Sequence, residues 1–187
     1  MIRIKLGLVA LCISSTVASA ITWDFTGGNG VDAASYDFYD STNTYKAVAT
    51  GNENVYLGPQ GLGILGGGST GIDNEGKNDQ LYLDLLKPFE IVSFEILGQD
   101  GNDMVRWKFE GGYWRSKGIV QNSTPVEVNG TGQNLIFTTG KDTDIEGLQG
   151  YKLSKLTVNS VPDSGETFSL LGGTMILLAV GLRRFLR

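Results

Sequence analysis

The chain has 187 residues, 41% hydrophobic and 19% charged, with 27 glycines, four prolines, one cysteine, no histidine and a formal net charge of −5. Glycine stands at about twice its usual share of roughly 7% while aromatic and aliphatic residues stay plentiful, which describes a turn-rich chain that folds, neither collagen-like nor disordered. Without histidine there is no Ser-His-Asp or Cys-His catalytic pair and no imidazole metal ligand.

Residues 1–20 read MIRIKLGLVALCISSTVASA. Arg3 and Lys5 form a positive start, Leu6 to Ile13 an apolar stretch, and Ala18-Ser19-Ala20 a small-residue cleavage site, so the segment is predicted to be a secretory signal peptide cut after Ala20. Cys12 does not suit lipid attachment, because Leu11 precedes it where a small residue is needed. Once Cys12 leaves with the leader the mature chain has no cysteine, although an exported compartment would permit disulfides.

Residues 21–160 are enough for one domain with its own core. They carry ten cations against eighteen acids, a balance of −8, which argues against a nucleic-acid surface. Alternation dominates the pattern. Ile21, Trp23 and Phe25 share a face, as do Leu81, Leu83 and Leu85, then Val92, Phe94 and Ile96, then Val105, Trp107 and Phe109 with Arg106, Lys108 and Glu110 opposite. Asn134 to Thr139 and Leu156 to Val161 are strand-like too, and no stretch shows helical periodicity. The expectation is an all-β fold, an antiparallel β-sandwich of jelly-roll type.

Between the strands lie candidate sites. Gly61-Leu62-Gly63-Ile64-Leu65-Gly66 matches G-x-G-x-x-G, but Gly67-Gly68-Ser69-Thr70-Gly71 follows instead of a helix that could hold a pyrophosphate, so it is read as a glycine loop allowing close backbone approach. Two acidic loops hold Asp73, Glu75 and Asp79, and Asp100, Asn102 and Asp103. Calcium takes about six to eight oxygen ligands, which these loops supply if they converge. Ordinary turn chemistry, with Asp, Asn and Gly in left-handed conformations, is the plainer account.

Trp107 alternates with Val105 and Phe109 and is assigned to the core, whereas Tyr113 and Trp114 follow Gly111-Gly112 and are candidates for stacking on a sugar. Asn122-Ser123-Thr124 and Asn129-Gly130-Thr131 fit the glycosylation sequon, a short pattern expected here to mark unmodified turns. A glycoside hydrolase would need two acids about 5–9.5 Å apart across a cleft, and no motif singles out such a pair.

The last 27 residues, 161–187, have three parts in order: Val161-Pro162-Asp163-Ser164-Gly165, an apolar run over 167–182, and a basic tail over 183–187 with Arg183, Arg184 and Arg187. The run is apolar on every face and, at about 1.5 Å per residue, is a minimal membrane span. The arginines after it and the acids before it place its C-terminus in the cytoplasm and the domain outside. Proline ends the strand and glycine permits a tight turn, which leaves the peptide extended where a processing enzyme reaches it.

These residues resemble the VPDSG variant of the PEP-CTERM sorting signals, tripartite tails of exported bacterial proteins recognised by an exosortase. Phe185-Leu186 splits the arginines, a small departure that leaves the topology intact. The region from Gly71-Ile72-Asp73 to Asp103 also bears a loose resemblance to the generic β-sandwich domains such proteins carry. What the resemblance implies is a protein brought out by the secretion machinery, held in the membrane by its C-terminal helix, then cut by an exosortase and passed to the cell surface or an extracellular polysaccharide matrix. In that role the chain is a substrate and has no catalytic residue. The alternative expectation is a secreted carbohydrate-binding module, with or without calcium.

Overall fold

A computed structural model describes residues 20–66, 69–73, 79–98, 104–118, 120, 122–140 and 150–161. Residues 1–19 of the expected signal peptide, Ala18 among them, the acidic-loop residues Glu75, Asp100, Asn102 and Asp103, and the tail from Pro162 onward lie outside them, while Ala20 is described. The described residues form nine antiparallel strands and no helix.

The strands are β1 (Ala20–Asp24), β2 (Val31–Tyr39), β3 (Lys46–Gly58), β4 (Gly61–Leu65), β5 (Leu81–Leu97), β6 (Met104–Phe109), β7 (Arg115–Lys117), β8 (Val126–Gly140) and β9 (Lys152–Ser160). They hydrogen-bond in the order β1-β9-β4-β3-β5-β8-β6-β7, with β2 on the flank of β3 and a further pairing between β9 and β5. That last pairing makes the path β3-β5-β9-β4 return to its start. The sheet therefore wraps around its own apolar side.

β5 makes the wrap possible. Its first part, Leu81 to Asp84, lies between β3 and β8, and its second part, from Phe89, lies between β8 and β9. The switch falls at Leu85-Leu86-Lys87-Pro88, where proline cannot donate to a ladder and the β8 register shifts between Asp84 and Phe89. Leu86 sits at φ 61°, a left-handed conformation disfavoured for a residue with a Cβ, and Asp84 Oδ1 accepts its N–H at 2.7 Å. Its side chain is half exposed and holds little apolar area. Leu86→Gly is accordingly expected to raise stability by about 1 kcal/mol or leave it unchanged, since relief of dihedral strain meets the greater freedom of glycine in the unfolded chain. Urea unfolding checks this, and a clear loss of stability would mean that the leucine side chain is packed.

Alternation places the core. Leu81, Leu83 and Leu85 are buried, as are Trp23, Phe25, Val105 and Trp107. Phe94 meets Trp107 and Phe137 edge to face at 5.2 and 5.0 Å, while Phe89 meets Trp23 and Tyr45 at 5.6 and 5.5 Å. Val92 departs from the expected phase. Both ladders of β5 skip it, between Ile91 and Ser93, so Ile91 takes the buried place and Val92 is only half buried. A β-bulge of this kind shifts the alternation by one residue.

The glycine-rich segment Gly61–Leu65 is a strand and not the expected loop. It pairs with β3 from Asn54↔Leu65 to Gly58↔Gly61. The close approach expected of it is present: a Cβ at Gly63 would stand 2.1 Å from the Thr70 carbonyl oxygen.

Candidate functional site

Two places collect chemistry. The first is the base of the acidic loop between β4 and β5. Asp73 and Asp79 are both 2% exposed and clamp each other through the backbone, with the Asp79 N–H donating to the Asp73 carbonyl at 3.1 Å and the Asp73 N–H reaching Asp79 Oδ2 at 3.5 Å. Thr138 Oγ1 donates to the Asp79 carbonyl at 2.7 Å, and the hydroxyl of buried Tyr151 donates to the Thr138 carbonyl at 2.9 Å, so β8 and the start of β9 hold the loop base in place. Glu53 arrives from β3: a Cβ at Gly66 would stand 2.9 Å from Glu53 Oε2 and 3.3 Å from Asp79 Oδ1.

Burial, followed by the nearby Asp73 carboxylate and then Glu53, raises the Asp79 carboxyl to about 7. Asp40, in the β2–β3 turn, shows the opposite. The Thr42 hydroxyl and the backbone N–H groups of Tyr45, Thr42 and Thr44 all donate to it and lower it to about 2. The contrast is between a carboxylate given donors and one buried beside other carboxylates.

Among the described residues no group of three or more His, Cys, Asp or Glu side chains is arranged to hold a metal ion. Of the six residues expected to bind calcium, Asp73 and Asp79 come together, and Glu75, Asp100, Asn102 and Asp103 fall outside the described residues.

The second place is the outer face of the sheet. Directly opposed residues on antiparallel strands share a face. Thr50, Tyr82, Ile136 and Lys108 therefore form one row across β3, β5, β8 and β6. Val48, Asp84 and Asn134 form the neighbouring row, which Glu110 extends just past β6, where its N–H donates to the Asn134 carbonyl at 3.1 Å. A groove of about 290 Å³ opens along these rows, lined by Thr50, Tyr82, Asp84, Glu110, Asn134 and Ile136 among others.

The groove's polar groups are set by their own contacts. Asp84 Oδ1 also accepts from Gln133 Nε2 at 3.1 Å, and the Tyr82 hydroxyl donates to Gln80 Oε1 at 2.5 Å. Asn134 Nδ2 donates to Glu110 Oε2, while Asn134 Oδ1 is enclosed with no donor among the described residues.

No known family, curated protein or solved structure matches this chain.

Tyr113 and Trp114, alike in sequence context, separate in the structure. Tyr113 is 96% exposed. Trp114 is half buried, with Lys108 Nζ 4.6 Å from its ring centre and the Arg106 guanidinium at 5.3 Å, which fixes the indole beside the outer rows. Sequence reasoning missed Tyr82, Asp84 and Asn134. The signal was present, since Tyr82 and Asp84 are the alternate positions to Leu81, Leu83 and Leu85, but which outward residues become neighbours depends on the register.

Proposed function

We propose that the chain is an exported bacterial surface or extracellular-matrix protein, without catalytic activity of its own, anchored by its C-terminal segment until an exosortase processes it. The supporting observation is the antiparallel pairing of β1 with β9, in which Ala20 lies opposite Asn159. The chain therefore enters and leaves the domain side by side at one end of the sheet. A leader before residue 20 and an anchor after residue 161 would both face one membrane from that end, with the remainder of the domain projecting away. Val161, the first residue of the sorting motif, is 43% exposed directly after β9. In this proposal the nine-stranded sheet is a jelly-roll-like sandwich, folded over its aromatic core.

Mass spectrometry of the protein recovered after export tests the reading. The expected mature chain begins at Ile21 and lacks the helix and basic tail; an intact C-terminus in cells with an active exosortase would overturn the sorting role.

A second reading is favoured by the outer groove: recognition of a glycan. Tyr82 offers an aromatic surface, and Asp84 and Glu110 accept hydroxyl donors along the same groove. This role is compatible with the first, because a matrix protein is held in place by what it binds.

A further inference from the structure

Charge on the outer face is sorted by row. Asp84 and Glu110 bracket Asn134 along one row of the groove, while Lys108 ends the row that begins with Thr50 and Tyr82. Arg106 follows on the same side of β6, and both cations lie against Trp114. Four of the ten cations in residues 21–160, namely Arg106, Lys108, Arg115 and Lys117, fall in β6 and β7, although that span has a balance of −8. Among the described residues neither Arg106 nor Lys108 forms an ion pair with a carboxylate; the ion pairs there join Lys46 to Asp37 and Lys155 to Glu95.

The geometry points to a carboxylate-bearing saccharide, a glycan of uronic-acid units, lying across the strands from Tyr82 to Trp114. This rests on the glycan-recognition reading above. Sugar hydroxyls donate to Asp84 and Glu110, the uronate carboxylate accepts from Arg106 and Lys108, and the rings of Tyr82 and Trp114 cover the apolar faces of the sugars. Tyr82 and Lys108 are two strands apart, roughly 10 Å at the usual spacing, so the site spans more than one sugar unit.

Two simpler occupants fit less well. A neutral glycan uses the acids and Tyr82 but leaves both cations idle. A small inorganic anion uses the cations but gains nothing from the groove. A ligand carrying both hydroxyl donors and a carboxylate acceptor matches both rows.

The test uses the full-length protein in mild detergent with EDTA present, titrated calorimetrically with a galacturonate tetramer, with cellotetraose as the neutral counterpart, and with inorganic phosphate. The galacturonate tetramer is expected to bind more tightly than cellotetraose, and less tightly as salt rises. The double variant Arg106→Gln/Lys108→Gln is expected to weaken galacturonate about tenfold or more and cellotetraose far less, because two charge-assisted hydrogen bonds are lost, with a small fall in melting temperature from the lost cation–π contacts with Trp114. Equal affinity for the two tetramers, an unaffected double variant, or displacement of galacturonate by equimolar phosphate would overturn the inference while leaving glycan recognition standing. Failure of both tetramers to bind would overturn the inference and the glycan reading together.

Discussion

Gly61→Ala is expected to leave the protein unfolded or insoluble under conditions where the parent folds. Gly61 closes the tight turn between β3 and β4 at φ 124°, a conformation closed to residues with a Cβ. It also faces β9, where an added methyl would stand 2.2 Å from the Leu153 carbonyl oxygen, inside contact distance of a backbone atom that cannot turn aside. Among the described residues β4 pairs with β9 in a ladder at Leu62↔Leu153 alone, so the displacement falls on the junction that closes the sheet on itself. Strain and clash together are expected to cost at least about 4 kcal/mol, comparable with the roughly 5–15 kcal/mol that holds a whole domain folded. Gly27→Ala is the matched control: its φ is 86°, nothing lies within 4 Å of the added methyl, and only the dihedral cost of about 1 kcal/mol applies. Circular dichroism and urea unfolding of the two variants measure the difference. Equal losses would show that β4 does not press on β9 as described.

The second large effect is on pH dependence. The Asp79 carboxyl, at about 7 in the folded protein against 3.8 for an ordinary aspartate, binds its proton more tightly when folded. Its contribution is therefore fully present below pH 3.8 and is lost as the pH rises through about 7, a change of up to about 4 kcal/mol at roughly 1.4 kcal/mol per pH unit. Melting temperature is thus expected to fall by about 10 °C between pH 5 and pH 8. Asp79→Asn, which cannot ionise beside Asp73 and Glu53, is expected to remove most of that slope and to melt higher than the parent at pH 8. The same slope in parent and variant would place the titration elsewhere. Asp40 acts at the opposite end of the scale. Its lowered carboxyl contributes stability that is present above pH 3.8 and lost as the pH falls towards about 2, and Asp24, lowered by the Thr26 hydroxyl, loses stability in the same direction, so both act outside the window set by Asp79.

How much could be read from the residues depended on how strongly each strand signed its buried face. β1, β6 and the first part of β5 carry large apolar residues at every second position, and their assignment followed from alternation alone. β2, β3 and β4 did not announce themselves. β3 buries Ala47 and Ala49, too small to stand out, the Val31–Tyr39 strand has no fully buried residue, and β4 places glycine where strand propensity expects bulk. At Val92 the alternation was visible but out of phase, because a bulge leaves no mark in hydrophobicity. The acid pair Asp73 and Asp79 was legible as residue types in one loop; that they would be buried together, with Glu53 beside them, was not, since Glu53 reaches them from a different strand. The outer rows needed the register most of all. Tyr82, Asn134 and Lys108 are far apart in sequence, and only the pairings of β5, β8 and β6 make them neighbours.

The pairing of β1 with β9 has a consequence for the order of events. The first strand's partner is the last strand in the chain, and β9 also supplies the second edge of β5, so the sheet cannot close until residues 152–160 are available. Contacts between such distant parts of a sequence form late and slowly. Were the chain exported as proposed, this would keep the domain unfolded until nearly all of it had crossed. It would also leave the bond between Ala20 and Ile21 open to a leader peptidase, because Ile21 pairs with Val158 only once β9 has arrived.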